Sequence, residues 1–274
     1  MVEAELKKGL GYWSVLALSI GSIMGTTVFF GAGIGARHSG NLLVITNLLL
    51  ALVVVYIAAC FAELASSFPG AGGAYEFSKQ AYGRFVSFIM GWTAWLVGNT
   101  AIVVMIIGAV NLLAPELGEL KQFFVSALLI TALSAVSYFG VQASGYMLVI
   151  FAAVMVAAPL VLIAVGLPAF HIKNFVPFIT HPLYTVFVSA FFLIESYFGW
   201  EGATYLSEET KNPRRVIPKA LLHGTIIIAV LNILLNVTIL GVMKWSEVAS
   251  KQLPILDVIG VLVKNDAFAY VLVS

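Results

Sequence analysis

The sequence predicts an all-α membrane protein with about seven transmembrane helices, and three observations support that prediction. Of the 274 residues, 61% are hydrophobic and only 10% are charged. The mean hydropathy is +1.03, which is too apolar for a surface covered by water. Apolar stretches of about 20 residues, the length that crosses a bilayer as a helix, recur from Tyr12 almost to the end of the chain. The expected solvent is therefore lipid.

Seven stretches are each long enough to cross a membrane. They run roughly from Tyr12 to Ala36, Leu42 to Phe68, Phe85 to Leu113, Phe123 to Phe139, Met147 to Leu167, Tyr184 to Leu206 and Ile217 to Val242. A further apolar run from Ala267 to Ser274 is too short to cross. Because the last carbonyl groups of a helix that ended in lipid would lack partners, we expect a partial sequence that stops inside an eighth span.

The charges favour a multi-pass protein of the cytoplasmic membrane with its N-terminus in the cytoplasm. Eight Lys and Arg residues lie in the connections on the side of the N-terminus and six on the other side, and such an excess marks the cytoplasmic side. The net charge of +1 offers no basic surface for nucleic acid. The single cysteine, Cys60, excludes a disulfide framework, and the four histidines lack the spacing of metal ligands.

Two of the predicted spans contain a segment that breaks a helix easily. In the first span, glycine, serine and threonine replace the leucines of a lipid-facing helix between Gly21 and Gly31. In the sixth span, the segment from Ser196 to Thr204 places Glu201 between Gly199 and Gly202. Two weak helices five spans apart indicate internal symmetry. In inverted-repeat transporters, such interrupted helices hold anionic groups at half-helix N-termini and cations at freed carbonyls, which suits a zwitterion.

Close helix packing is the alternative explanation for the glycines. Gly21 and Gly25 have the Gly-x-x-x-Gly spacing that lets two membrane helices approach. For the first span alone, packing and a binding site are equally favoured. The occurrence of a second interrupted span favours the site.

Four segments resemble the amino acid, polyamine and organocation (APC) superfamily of permeases. The most specific is Ser207-Glu208-Glu209-Thr210-Lys211-Asn212-Pro213-Arg214-Arg215, followed by Ile217-Pro218-Lys219-Ala220, which is similar to the family's signature between spans six and seven. The other three run from Gly21 to Gly31, from Ala62 to Tyr75 and from Phe198 to Glu201.

This resemblance implies a LeuT-type fold of five plus five spans in inverted repeats, here truncated after about seven helices. Residues 1–170 would form the first repeat, with spans one to five, and residues 171–274 part of the second, with spans six, seven and the start of eight. The implied function is secondary active transport of amino acids by alternating access, coupled to protons or to exchange. The implied partners are the amino acid, the lipid bilayer and protons, without a cofactor or an enzymatic activity.

The resemblance also implies a substrate site at the two interruptions. In the family, backbone amides of the first break hold the substrate carboxylate, and the matching residues are Gly25, Thr26 and Thr27, with Thr27 where the family has glycine. Glu195 stands where the family often has an aromatic gate, so Phe192, Tyr197 or Phe198 would replace that gate. The candidate binding residues are Ile20, Gly21, Ser22, Met24, Gly25, Thr26, Thr27, Glu195, Phe198, Gly199 and Trp200.

Three residues are candidates for coupling or gating. Glu201 and Glu195 lie within a predicted span, where a carboxylate is costly unless it is paired or hydrated. Glu201 could carry the coupled proton, since desolvation raises a carboxyl pKa, or it could be a structural acid bonded to the unwound backbone. Glu63 is interpreted as a gate or as the partner of Lys79 or Arg84, and Tyr197 as a gating residue. Small neutral or cationic amino acids are the expected substrates, because Glu195 adds negative charge near the site.

Two asparagines, Asn232 and Asn236, lie one turn apart in the seventh span, which places both amides on one face. Hydrogen bonding between helices is the favoured interpretation, and contact with substrate is the less favoured one.

A seven-helix receptor or a channel-like protein is the alternative function. The seventh span has no lysine beyond its start at Lys219 that could form a Schiff base, and a glycine-broken first span has no purpose in a receptor. An enzyme is disfavoured because Asp257 and Asp266 are the only aspartates and no His-Glu-x-x-His motif occurs. The mixed Gly, Thr and Glu breaks suit a closed pocket better than an open pore.

Overall fold

The computed structural model describes residues 9–24, 27–114, 116–138 and 141–251, together with 254, 255 and 258. Among these residues every regular element is a helix, which confirms the predicted helical class. The helices are α1 Tyr12–Ile23, α2 Thr27–Ser39, α3 Leu43–Ser67, α4 Ala74–Tyr82, α5 Arg84–Leu113, α6 Glu119–Tyr138, α7 Val141–Gly166, α8 Thr185–Leu193, α9 Glu201–Tyr205, α10 Pro213–Val242 and α11 Trp245–Ser250. Short 3₁₀ turns occupy Gly40–Leu42, Leu167–Ala169, Ile172–Phe175, Ile194–Tyr197 and Ser207–Glu209.

Four helical stretches of the described chain are long and apolar enough to cross a membrane. They are Phe30–Ser67, Arg84–Val110, Val149–Ala169 and Pro213–Val242, and the first of them joins α2 and α3 through a 3₁₀ turn. Several such stretches in one chain indicate a multi-pass membrane protein. The total of about seven spans stays a prediction.

A tight corner separates α2 from α3. Gly40 has φ +57°, a left-handed conformation that favours glycine, and a Cβ atom there would overlap the side chain of Thr180. Asn41 is fully buried, and its Nδ2 donates to the carbonyl oxygens of Asn174 at 3.2 Å and Pro177 at 2.9 Å. The corner is therefore fastened to the segment that precedes α8.

The core of the bundle lies around α10. This helix packs along α3, α1 and α7, and it contributes fully buried Ile217, Leu221 and Ile239. In contrast, α5 and α6 point large apolar side chains outward, including Trp92 and Phe123. An outward apolar surface suits lipid rather than water. Both interrupted helices pack against the buried part of the bundle.

Candidate functional site

The first predicted span is interrupted within the segment that the sequence marked as weak. Helix α1 ends at Ile23, and α2 begins at Thr27. Met24 leaves the helix with ψ 87°, and its N–H donates to the carbonyl oxygen of Ile20 at 2.9 Å. Gly25 and Thr26 lie outside the described residues, as does the side chain of Thr27.

The sixth predicted span is interrupted between α8 and α9. After the 3₁₀ turn Ile194–Tyr197, Phe198 is extended, with φ −75° and ψ 152°. Gly199 then takes φ +121°, which a residue with a side chain rarely adopts. Its carbonyl oxygen accepts a hydrogen bond from the N–H of Gly202 at 3.0 Å. The glycine therefore turns the chain into α9.

The two interruptions meet in space. A Cβ atom on Gly199 would overlap the carbonyl group of Ser22 and lie 3.2 Å from the amide nitrogen of Ile23. A Cβ atom on Gly202 would lie 2.5 Å from Ser22 Oγ and 2.9 Å from Ser22 Cβ. Distances below 3 Å to a Cβ atom require something to shift. The start of α9 thus approaches the end of α1 more closely than any residue with a side chain would permit.

Gly21 does not take part in this contact. A Cβ atom on Gly21 would have no heavy atom of the described residues within 4 Å, and Gly21 and Ser22 are both half-buried. Close packing through glycine therefore operates at Gly199 and Gly202 rather than at Gly21. Ile20 and Met24, the other candidates on this side, are buried.

Trp200 fixes the second interruption to its neighbours. The indole Nε1–H donates to Thr225 Oγ1 of α10 at 3.1 Å, and this bond is buried. The Trp200 ring centroid lies 5.9 Å from that of Phe61 on α3 and 6.1 Å from that of Phe198. Sequence reasoning missed Thr225, because no motif marks it and 25 residues separate it from Trp200.

The predicted substitutes for the aromatic gate lie in different environments. Phe192 stacks on His38 of α2, with 4.6 Å between the ring centroids, while Tyr197 is fully buried. Phe198 is 53% exposed and lies at the interruption itself. Phe192 is also exposed, at 45%, so Phe198 differs from Phe192 by lying at the interruption and from Tyr197 by being accessible.

The two acids near the second interruption also differ. Glu201 is half-buried and opens α9, whereas Glu195 lies in the preceding 3₁₀ turn and is exposed in the described structure. Tyr205 lies one helical turn after Glu201, at the other end of α9. The structure therefore places Glu201, and not Glu195, between the interruption and the rest of α9.

Lys79, one of the two predicted partners of Glu63, pairs instead with Glu76, and the gating role of Glu63 stays a prediction. Lys79 Nζ lies 3.3 Å from Glu76 Oε2, because the two residues are three positions apart on one face of α4. Gln80 Nε2 also donates to Glu76 Oε1 at 2.7 Å. These hydrogen bonds, the one from Gln80 first, lower the pKa of Glu76 from its ordinary value. Glu63 is exposed on α3 and forms no ion pair with Lys79 or Arg84 among the described residues.

A backbone joint connects the segment before α1 with the segment after α9. The N–H groups of Gly9 and Leu10 both donate to the carbonyl oxygen of Glu209 at 3.1 Å, and Lys211 N–H donates to the Leu10 carbonyl oxygen at 2.9 Å. On the same side, Glu208 Oε1 accepts a bond of 3.4 Å from the Ala71 N–H. Helices α1 and α9 therefore contact each other at the interruptions. Backbone hydrogen bonds also join the segment before α1 to the segment after α9.

Comparison with known proteins gives a consistent result. A family model described as amino acid permease matches residues 10–273. The chain is similar to a branched-chain amino acid permease of Bacillus subtilis, with 26% identity over 92% of this chain and 59% of that protein. It is also similar to a methylthioribose transporter of the same species, with 26% identity over 89% of this chain and 57% of that protein.

A third relative is cationic amino acid transporter 1 of Arabidopsis thaliana, with 26% identity over 89% of this chain and 44% of that protein. The chain thus spans about half the length of the curated relatives it matches. The family model covers nearly every residue, including both interruptions and the segment from Ser207 to Ala220. The predicted resemblance is confirmed, and the chain belongs to the amino acid permease family of the APC superfamily.

Proposed function

We propose that this chain is the N-terminal portion of a secondary active transporter that moves amino acids across the cytoplasmic membrane by alternating access. The observation that carries the proposal is the contact between the two interrupted helices at Ser22, Gly199 and Gly202. In transporters built from inverted repeats, discontinuous helices meet at the substrate site near the middle of the membrane. Membership of the permease family supports the same function.

The backbone at the first interruption suits the two charges of an amino acid. Helix α2 begins at Thr27, and the N–H groups at a helix N-terminus favour a carboxylate. Helix α1 ends at Ile23, and its last carbonyl groups favour a cation such as an ammonium group. We infer that the substrate carboxylate binds the amides of Gly25, Thr26 and Thr27, as the family resemblance implies.

The proposed architecture is the LeuT-type inverted repeat. Residues 1–170 form the first repeat and residues 171–274 the start of the second, with the N-terminus in the cytoplasm. Pairing of the interrupted first and sixth spans is what such symmetry requires. The remaining spans would be supplied by the rest of the transporter, since the curated relatives are longer than this chain.

The proposed substrates are small neutral or cationic amino acids. The names of two relatives, a branched-chain amino acid permease and a cationic amino acid transporter, support both classes, and Glu195 adds negative charge beside the interruption. The test is uptake of labelled leucine, lysine and glutamate into liposomes that contain the protein expressed from the parent gene. Uptake of leucine or lysine that saturates with concentration is expected. Sustained single-channel currents without saturable uptake would contradict the carrier.

We further propose that Glu201 carries the coupled proton. It is half-buried at the start of α9, one residue after Trp200, so movement of α9 would change its contact with water and hence its proton affinity. Glu201→Gln is expected to abolish the dependence of uptake on an imposed pH gradient while substrate binding persists. Glu195→Gln removes an exposed acid from the same segment; it should change the preference for cationic substrates and leave the pH dependence of uptake in place. An unchanged pH dependence in Glu201→Gln would refute coupling through this residue.

A further inference from the structure

Helix α10 is mostly buried, and the residues that it exposes form a single stripe. From Arg215 onward, the exposed residues of this helix are Arg215, Lys219, His223, Ile226, Val230 and Leu234. Each follows the previous one by three or four positions, which is the spacing of one helical face. We call the first three the basic half of the stripe and the last three its apolar half. The chemistry of this face therefore changes from basic to apolar along the helix.

The change from basic to apolar lies at the level of the membrane surface. Residues Pro213–Val242 are long and apolar enough to cross a membrane, so the first turns of α10 lie near one surface of the bilayer. His223 Nδ1 lies 2.7 Å from the Tyr12 hydroxyl. The Tyr12 ring centroid lies 5.1 Å from that of Trp13, which is 76% exposed. Because tyrosine and tryptophan are enriched at headgroup level, the basic half lies among the headgroups and the apolar half in the hydrocarbon.

The length of the stripe matches one lipid molecule. From Lys219 to Leu234 the helix rises about 22 Å, since each residue adds about 1.5 Å. One leaflet, half of a bilayer about 40–45 Å thick, has nearly the same thickness. A phospholipid that stood upright beside α10 would thus have its phosphate at the basic half and an acyl chain along the apolar half.

A cleft lies beside the start of the stripe. It has a volume of about 470 Å³ and is lined by Pro69, Asn212, Pro213, Arg214 and Arg215. Glu208 accepts a hydrogen bond from the Ala71 N–H nearby, but no acidic side chain of the described residues belongs to this lining. Neither Arg214 nor Arg215 forms an ion pair with a described residue. The cleft therefore offers two guanidinium groups to an anion from outside the described chain.

We propose that this face of α10 binds one anionic phospholipid, with its headgroup in the cleft and at the basic half and one acyl chain along the apolar half. Guanidinium groups suit phosphate oxygens, and basic residues next to a membrane helix attract anionic lipids. A free phosphate ion would use the cleft and the basic half alone. The apolar half, which continues the same stripe, selects the lipid. The binding of this lipid does not depend on the proposed transport.

The test is native mass spectrometry of the detergent-solubilised protein, expressed from the parent gene and titrated with phosphatidylglycerol. Phosphatidylcholine with the same acyl chains is the comparison, because its headgroup carries no net charge, and inorganic phosphate is the competitor. Phosphatidylglycerol is expected to bind more tightly than phosphatidylcholine and to stay bound when inorganic phosphate is added.

The double variant Arg215→Gln/Lys219→Gln tests the basic half. The affinity for phosphatidylglycerol should fall about fivefold for each charge removed, and thus about 25-fold for both. Lys121→Gln/Lys173→Gln is the matched control, because it removes two exposed cations at the start of α6 and in the 3₁₀ turn Ile172–Phe175. This control should bind the lipid as the wild type does. Should the double variant not fold, Lys219→Gln alone is expected to weaken binding about fivefold.

Four results would overturn the proposal. Equal affinities for the two lipids would exclude recognition of the anionic headgroup, and equal affinities of the wild type and a folded variant would place the lipid elsewhere. Displacement of the lipid by inorganic phosphate would show a site for a free anion. Absence of any bound phosphatidylglycerol would show that another part of the transporter, or a second copy of it, covers this face.

Discussion

Gly21 in the first interrupted span and Gly199 in the second differ in what a side chain at their position would meet. Just before the first interruption, a Cβ atom on the half-buried Gly21 would have no described heavy atom within 4 Å, and α1 ends at Ile23 with Met24 as its cap. At the second, Gly199 takes φ +121° directly against the carbonyl group of Ser22. A side chain at Gly21 would therefore be unobstructed by described atoms, whereas glycine at position 199 is required by both conformation and space. The two interrupted segments are similar in composition, but we expect substitution of Gly199 to be more damaging than substitution of Gly21.

The largest expected effect is that of Gly199→Ala. The methyl group would force a left-handed conformation on alanine and overlap the backbone of Ser22, which cannot move without shifting α1. We expect a loss of roughly 3 kcal/mol in the free energy of unfolding, together with loss of uptake. Thermal unfolding of the purified protein measures the first quantity.

Gly21→Ala is the matched control in the first interruption. Because a Cβ atom there meets no described atom and alanine favours helix more than glycine by about 1 kcal/mol, the stability should stay equal or rise slightly. An equal destabilisation by Gly21→Ala and Gly199→Ala would contradict the claim that a side chain is tolerated at position 21 and not at position 199.

Gly202→Ala should have an intermediate effect. The nearest atom to its added methyl group is Ser22 Oγ, at 2.5 Å, and a hydroxyl group can rotate away at lower cost than a backbone carbonyl. A destabilisation of about 1–2 kcal/mol is expected. Ser22→Ala in the same chain should recover part of this loss, since it removes the hydroxyl but keeps Ser22 Cβ, which would lie 2.9 Å away. Strict additivity of the two substitutions would show that the residues do not touch.

Trp200→Phe tests the attachment of the second interruption to α10 through Thr225. It removes the buried hydrogen bond to Thr225 Oγ1 and should cost about 1 kcal/mol beyond the change in packing. Thr225→Val leaves the indole N–H buried without its partner and is expected to cost at least as much, roughly 1–3 kcal/mol. The double variant should cost less than the sum of the two, as for residues in direct contact. If the destabilisations of the two single variants add up fully in the double variant, the bond between Trp200 and Thr225 does not contribute to stability.

The smallest expected effect lies outside both interruptions, at Glu76. Hydrogen bonds from Gln80 and Lys79 lower the pKa of its carboxyl group below the ordinary 4.5. A lowered pKa in the folded state stabilises the protein above the unfolded pKa, and this contribution is lost as the pH falls through the folded pKa. The melting temperature of Glu76→Gln should therefore lie slightly below that of the wild type at neutral pH.

The difference should disappear in acid, once the carboxyl group is protonated in both states. Glu63→Gln is the control, because Glu63 forms no ion pair with Lys79 or Arg84 in the described residues. If the melting temperature of Glu76→Gln lies below that of the wild type by the same amount from neutral to strongly acidic pH, the lowered pKa of Glu76 is not the cause of the difference.

Local sequence determined several features of this protein. Composition and long apolar stretches were enough to predict a helical protein that spans a membrane, because a segment that crosses lipid has few alternatives to a helix. Glycine-rich segments were enough to place both interruptions, since helix propensity acts within a few residues. The segment from Ser207 to Ala220 was enough to indicate the family, and the family match over residues 10–273 confirms it.

Tertiary structure alone decided which of these residues touch. Three contacts connect distant parts of the chain. They are the bond between Trp200 and Thr225, the close approach of Gly199 to Ser22 and the backbone hydrogen bonds of Leu10 with Glu209 and Lys211. For the same reason, Lys79 pairs with Glu76 and not with Glu63, for which it was one of two predicted partners: the sequence shows the charges and not the distances between them. Propensity and hydropathy act over a few neighbouring residues, whereas contacts between helices depend on how the whole bundle packs.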